Sequence, residues 1–311
     1  MLKDPLVTII VVTYNSEKYV LETLESAKTQ IYQNIELIVS DDCSTDNTLE
    51  ICKIWINNNN GRFFRTKIIT NKKNTGTSGN CNRGLKEATG DWIKFIAGDD
   101  ELLPNCLIDN IQYLVDKPDI LILTSFLNAY KNYFTLENYI TTIKNNSEFF
   151  HPEVTAQMQN KMLLKANPVL AVTSFIRKDI FFVIDGFDED VKLIEDLPLW
   201  LRVTQNGIRI YSFDCITVNY RVRADSVLRG GKLFMTANYA KNLLIFTNKY
   251  LKNKKHVICI FLIKFSLYMV IFLNIIGLNR NFFINAKVFG KFVPWIIAFS
   301  FRCSICDYKF T

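Results

Sequence analysis

Residues 7–15 read VTIIVVTYN. Val7 through Val12 are all β-branched, a side-chain type that favours extended backbone. The run does not alternate with polar residues, so it reads as a strand covered on both faces. A parallel sheet with helices packed above and below is the arrangement that covers a strand in this way. Thr13, Tyr14 and Asn15 end the run with polar groups. Asn15 and Ser16 are residue types that cap helices, and a helix is expected over 17–30. Leu21, Leu24 and Ala27 would share one face of it.

The same alternation repeats along the chain. IELIVS (35–40) reads as a second buried strand, ending in Asp41 and Asp42. A helix is expected over Thr48–Trp55, with Ser44 or Asp46 capping it, and a turn at 57–62 (NNNNGR). TKIIT (66–70) is a third strand, 80–88 a helix, and WIKFIA (92–97) a fourth strand. The fold class is therefore α/β, Rossmann-like, with a mostly parallel sheet flanked by helices. Such sheets bind ligands beyond the carboxyl ends of their strands. Three polar clusters fall at those ends: Thr13-Tyr14-Asn15, Asp41-Asp42 and Asp99-Asp100. Further on, ILILTSF (120–126) reads as a strand and 127–165 as mixed helix and loop. A helix should begin after Asp196, with Pro198 in its first turn and Gly207 as its stop. A strand over 208–213 would close the pattern, which ends near 220–226.

Composition leaves ample apolar material for a core: 49% of 311 residues are hydrophobic. The net charge of +7 is unevenly placed. Lys249, Lys252, Lys254 and Lys255 precede an apolar stretch, 257–277, that carries Lys264 alone; a second stretch, 282–301, carries two lysines. Lysines beside apolar segments point to an anionic membrane surface rather than to nucleic acid. A catalytic domain over 1–230 is expected, followed by a helical, apolar, membrane-associated region over 231–311. Spanning, interfacial and buried-hairpin readings of that region all stay open. Cys303 and Cys306 form an isolated C-x-x-C. His151 and His256 stand at no ligand spacing, so a zinc site is not expected. The N-terminus runs into the first strand without a cleavage signal, which predicts a cytosolic protein with free thiols.

Each acidic cluster has a plain reading and a chemical one. Asp41 to Asp46 can be a helix-capping turn, or Asp41 can accept a hydrogen bond from a base or ribose. Asn74-x-Gly76 and Asn82-x-Gly84 can be a loop entering a helix, or a close backbone approach to a ligand. FIAGDDELLP (95–104) can be a solvated turn, a general acid/base pair, or a seat for Mg²⁺ or Mn²⁺ on a diphosphate. Glu101 reads as a solvated bystander in all three cases. Glu195 and Asp196 suit the positive end of a helix dipole, and one of them could serve as a general base.

Together these residues resemble glycosyltransferase family 2 on a GT-A fold. VTIIVVTYN, VSDDCSTDNT, NTGTSGNCNRGLKEATGDWIKFIAGDD and IEDLPLWLRV occur in the family's order, over about residues 5–225. The resemblance implies sugar transfer, with inversion, from a nucleotide donor to an acceptor hydroxyl. Thr13, Tyr14, Asn15, Asp41, Asp42 and Asn74 would line the nucleotide pocket, with Asp41 on the base, uracil by preference. Asp99 and Asp100 would hold the divalent cation, Mn²⁺ or Mg²⁺. Asp196 would be the catalytic base, and Arg221 and Arg223 would lie near the diphosphate. Likeness to bacterial polysaccharide-assembly enzymes (O-antigen or capsule) implies a polyprenyl-diphosphate-linked glycan acceptor at the cytoplasmic face of the inner membrane. Ala97, Cys43, Cys81 and Arg223 depart from the residues usual at their positions: an acid, a glycine, an arginine and a histidine. Ala97 also keeps open a nucleotide-sugar-binding pseudo-enzyme.

Overall fold

Strand β1 (Val7–Thr13) lies between β2 (Ile35–Asp41) and β4 (Trp92–Ala97) and runs parallel to both. β3 (Arg65–Thr70) adds to β2, again parallel. This is a computed structural model, and it describes residues 4–223, 235–251 and 257–277. All seven residues of β2 are buried, as are six of the seven in β1. Alternation divides the core. Val7, Ile9 and Val11 pack with α1 (Val20–Lys28), α2 (Thr48–Asn59) and α4 (Cys106–Leu114) on one face of the sheet. Ile10, Ile38 and Ile93 pack with the helices on the opposite face. Those are α3 (Thr77–Glu87), α6 (Ile180–Val183) and α7 (Asp196–Gln205), centred on the fully buried Trp200.

The parallel pattern stops at β4. β8 (Phe175–Arg177) runs antiparallel between β4 and β6 (Ile122–Lys131). β6 pairs in parallel with β9 (Tyr211–Val222), whose other edge takes the two-residue β5 (Glu101–Leu102), antiparallel. β7 (Tyr139–Ile143) forms an antiparallel ladder with β6. The sheet is therefore parallel in its first four strands and mixed beyond them. Several sequence expectations shift accordingly. The segment 127–165 is not only helix and loop: β6 runs on to Lys131 and β7 returns against it, before α5 (Ala156–Leu163). The last strand begins at Tyr211 and reaches Val222 instead of covering 208–213. Helix α2 continues to Asn59, through the first part of the expected turn. α1 starts at Val20 without a side-chain cap, so Asn15 and Ser16 do other work.

Gly207, in the left-handed region at φ 77°, follows α7 as expected. Helices α8 (Ala237–Tyr250) and α9 (Val257–Ile275) pack on the same layer, where Leu243, Phe246, Leu267 and Val270 share a core with Trp200. Lys249 and Tyr250 bond the Asp188 carboxylate, at 2.8 and 2.6 Å, tying α8 to the segment before α7. Among the described residues, no helix is long and apolar enough to cross a membrane. The stretch 282–301, Cys303, Cys306 and Lys252, Lys254 and Lys255 lie outside the described residues.

Candidate active site

The parallel register sets Thr13 beside Asp41 and Val12 beside Ala97, so three chain segments end on one edge. Asp41 is 1% exposed and fully engaged. Its Oδ1 accepts from Thr13 Oγ1 (3.0 Å) and Ser44 Oγ (2.5 Å), and its Oδ2 from Ser44 N (2.9 Å) and Thr70 Oγ1 (3.2 Å). Asn15 sits in the left-handed region at φ 50°, which asparagine tolerates. Its Oδ1 accepts the Thr45 N–H (2.8 Å), and its own N–H donates to Ser44 Oγ (2.9 Å). Tyr14, 48% exposed, stands at the rim. Asn47, without a side-chain cap bond, holds the N-cap position of α2, and Asp46 Oδ1 accepts the first helical N–H, from Thr48, at 3.0 Å.

Asp42 is buried and holds the loop that carries Asn74. It accepts from Thr75 N, Thr75 Oγ1 and Gly76 N, the last at 2.7 Å, and pairs with Arg83 at 3.1 Å. Asn74 is exposed, and its Oδ1 accepts the Gly76 N–H. Arg83 was not singled out from the sequence, yet it also reaches Asn80 Oδ1 and the Asp41 carbonyl. Asn80 in turn donates to the Thr13 carbonyl and accepts from Ser40. A polar network so placed behind two carboxylates is written into the NCNRG stretch, where a single charged residue follows two asparagines.

Gly76 connects this loop to the opposite wall. It sits at φ 84°, and a Cβ there would come within 2.7 Å of Lys192, whose carbonyl takes the Ser78 N–H at 3.1 Å. Ser78 Oγ also donates to the Val191 carbonyl. The chain then leads directly to Glu195 and Asp196 at the start of α7. Asp196 Oδ1 accepts the Leu197 N–H and its Oδ2 the side-chain amide of Asn167, both at 2.7 Å. Burial raises the Asp196 carboxyl above its ordinary value, against the pull of those two donors. Glu195 is pushed up to about 8, by burial first and by Asp196 second. The buried Cys81 thiol of α3 is pushed well above its ordinary value by burial, then by the nearby charges of Glu195 and Asp42.

The acidic loop crosses the end of β1. Gly98 makes room for this: a Cβ there would meet Thr13 Cγ2 at 2.8 Å. The two aspartates that follow have unlike surroundings. Asp99 has a quarter-exposed side chain, and its Oδ2 pairs with Arg223 Nη1 at 3.1 Å. Asp100 is buried. Its carbonyl accepts from Thr23 Oγ1 (2.7 Å) and its Oδ1 from the Arg221 N–H (2.8 Å). Burial, then Asp99, raises its carboxyl well above the usual range. Arg221 is wholly buried and does not present its guanidinium at the surface. It donates to the Asp99 carbonyl, the Asn132 carbonyl and Glu22 Oε2, between the rings of Tyr19 and Phe134. Glu101 is not the solvated bystander expected: it is half-buried, and its Oε2 accepts from Asn219 at 2.6 Å. Among the described residues no three His, Cys, Asp or Glu side chains converge. Asp99, a hard oxygen donor, is the acid of this loop that could reach a cation, which would need its other ligands from elsewhere.

Comparison with known proteins gives this edge a family. The model of glycosyl transferase family 2 matches residues 8–184, more than half of the chain. The chain belongs to glycosyltransferase family 2. It is a glycosyltransferase, on the GT-A fold. An Escherichia coli relative, the UDP-Glc:alpha-D-GlcNAc-diphosphoundecaprenol beta-1,3-glucosyltransferase WfaP, is 29% identical over 261 residues, covering 82% of this chain and 91% of its own. In shape, the chain resembles Staphylococcus aureus TarS residues 1–349 in complex with UDP-GlcNAc. The TM-score is 0.59 at 22% identity, over 91% of this chain and 76% of that one. It also resembles the Pyrobaculum calidifontis mannosyltransferase PcManGT in complex with GDP-Man and Mn²⁺. There the TM-score is 0.57 at 18% identity, over 82% and 66% of the two chains.

Proposed function

We propose that the chain is an inverting glycosyltransferase that moves a sugar from a UDP-sugar to a hydroxyl of a polyprenyl-diphosphate-linked glycan, in bacterial surface polysaccharide synthesis. The observation that carries this reading is the joining of the Asp42 loop to the Asp196 segment through Gly76, Ser78 and Lys192. That contact supports a reading in which the nucleotide edge and a carboxylate base flank one site. Thr13, Tyr14, Asn15, Asp41 and Asn74 lie along the nucleotide edge, with Asp41 bracing Thr13 and Ser44 and Asp42 holding the Asn74 loop. Asp196 takes the proton of the acceptor hydroxyl as its oxygen bonds to the anomeric carbon. The bond from that carbon to the diphosphate breaks, and its electron pair leaves with UDP. One base suffices, because a single displacement inverts the centre without an enzyme nucleophile. A divalent cation at Asp99, with Asp100 behind it, would offset the charge of the leaving diphosphate. Arg223, already on Asp99, adds a fixed positive charge there.

The donor and acceptor assignments are supported by the relatives, WfaP above all. A site at the cytoplasmic face of the inner membrane is supported by α9, whose Phe261, Phe265, Tyr268, Phe272 and Ile275 are all more than half exposed. Their helical spacing makes one apolar stripe, aromatic at four of its five positions, suited to the interface of a bilayer. The division into a catalytic domain over 1–230 and a membrane-associated region over 231–311 belongs to the same proposal.

The test is Asp196→Asn with UDP-glucose and UDP-GlcNAc as donors and GlcNAc-diphosphoundecaprenol as acceptor. UDP release should vanish while UDP still raises the melting temperature. Turnover at the wild-type rate would remove Asp196 from the mechanism. For the membrane, the full chain should sediment with anionic vesicles, and Phe265→Asp with Phe272→Asp should leave it in the supernatant. Equal sedimentation of the double variant would remove the α9 stripe from that role.

A further inference from the structure

Asn167 lies between α5 and β8 and is 8% exposed. Neither the family motifs nor the spacing of acids marks it. Its Oδ1 accepts the Val169 N–H at 3.3 Å, and its Nδ2 donates to Asp196 Oδ2 at 2.7 Å. The first bond fixes which end of the amide is which. The end that meets the carboxylate must then be the N–H end. Pro168 follows, and a residue before proline is confined to extended backbone, so the amide sits on a pre-set stem.

The Asp196 carboxylate is held from two directions. The Leu197 N–H takes Oδ1 and Asn167 takes Oδ2. Two donors on two oxygens fix the plane of the group as well as its position. Glu195 precedes it, and the Asp196 charge helps to hold the Glu195 proton on; Glu195 in turn helps to raise the Cys81 thiol of α3. The small cavity at Asn167 is lined otherwise by Leu163, Leu164, Ala166, Leu197, Phe246 and Leu251, from α5, α7 and the end of α8. None of these carries charge, so the Asn167 amide is the polar group that this apolar wall turns toward the acid.

We propose that Asn167 is a positioning residue for the transfer reaction: it sets the plane of the Asp196 carboxylate and favours its ionised form. This rests on Asp196 being the base. The burial that raises the Asp196 carboxyl would raise it further without this donor.

Asn167→Asp is the sharpest test. It keeps the size of the side chain and the acceptor for Val169, and it replaces the donor facing Asp196 by an oxygen. The pH profile of kcat for UDP release, with the donors and acceptor above, should then shift. The acid limb should rise by about one pH unit or more, as for carboxylates that share a site. Activity at a pH below the wild-type limb should fall about tenfold, the rate equivalent of one unit on that limb. Much of the loss should return at alkaline pH, and the UDP-induced rise in melting temperature should be unchanged. Asn167→Ala, which loses the donor without adding an acid, should move the limb in the same direction by less, and it decides the matter if the aspartate variant does not fold. An acid limb at the wild-type position in the folded variants overturns the proposal. So does a loss that is flat with pH and accompanied by weaker UDP binding, since that is the mark of a merely structural role. If Asp196→Asn retains transfer, the base assignment has failed and this proposal with it. If Asp196→Asn is inactive while the Asn167 variants keep the wild-type limb, this proposal alone has failed.

Discussion

Replacing Arg221 by methionine should unfold the acidic edge before it affects any contact with substrate. The guanidinium is wholly buried, with bonds to the carbonyls of Asp99 and Asn132 and to Glu22. Methionine keeps part of the apolar contact with Tyr19 and Phe134, whose rings lie 4.3 and 4.0 Å from the guanidinium carbon. It restores none of the donors. The Glu22 side chain is 49% exposed, so that pair is worth at most about 1 kcal/mol. The two carbonyls lose a charged donor, at roughly 1.5–3 kcal/mol each. Asp100, which accepts the Arg221 N–H, also loses a nearby positive charge while it stays buried. The expected loss is roughly 3–5 kcal/mol, the range for breaking a buried charged contact. In a chain of this size that lowers the melting temperature on the order of 10 °C. Urea unfolding followed by circular dichroism, with calorimetry, measures both. Arg223→Ala is the control: its pair with Asp99 is partly exposed, and its loss should cost less than that of Arg221 while weakening UDP binding. A loss below about 1 kcal/mol for Arg221→Met, or an equal loss for Arg223→Ala, would refute the division of labour between the two arginines.

Glu195, with its carboxyl raised from 4.5 to about 8, binds its proton more tightly folded than unfolded. It therefore stabilises fully below about pH 4.5, and that contribution is lost as the pH rises toward 8. Glu195→Gln should gain stability relative to wild type across this window, measured as urea midpoints from pH 4 to 9, and a difference flat with pH would contradict the shift. Cys43 sits in the left-handed region at φ 66°, where a side chain costs roughly 1–2 kcal/mol. Glycine relieves that strain but gives up roughly 0.5–1 kcal/mol of backbone entropy. Cys43→Gly should therefore raise stability by up to about 1 kcal/mol, and a clear fall would show that the thiol has packing of its own.

How much of the site could be read in advance depended on what each residue does. Thr13, Asp41 and Asp99 were legible because a buried parallel strand must end somewhere, and polar residues after such runs fall on one edge. Ala97 and Cys43 stood out as departures, and the left-handed backbone at Cys43 supplies the reason that glycine is usual there. Arg83 and Asn167 were missed because they act on other side chains. Arg83 reaches Asp42 from 41 positions away and Asn167 reaches Asp196 from 29, with no periodicity to connect them. Arg221 and Arg223 read as a matched pair and are not one. On β9, Arg221 faces the interior between Tyr19 and Phe134, while Arg223, one residue past the strand, reaches Asp99 with part of its side chain exposed.

The β-branched runs and the acids that follow them settle the α/β class, the parallel first half of the sheet and the edge that carries the candidate site. These are local properties, since strand propensity and burial pattern depend on neighbours in the chain. The mixed second half was decided only in three dimensions. β5 and β8 are two and three residues long, and such short strands exist because β9, β4 and β6 offer them partners. The tertiary structure likewise decided that Asp99 is the accessible acid and Asp100 the buried one. Two neighbouring residues of one type differ only in what the rest of the chain places around them.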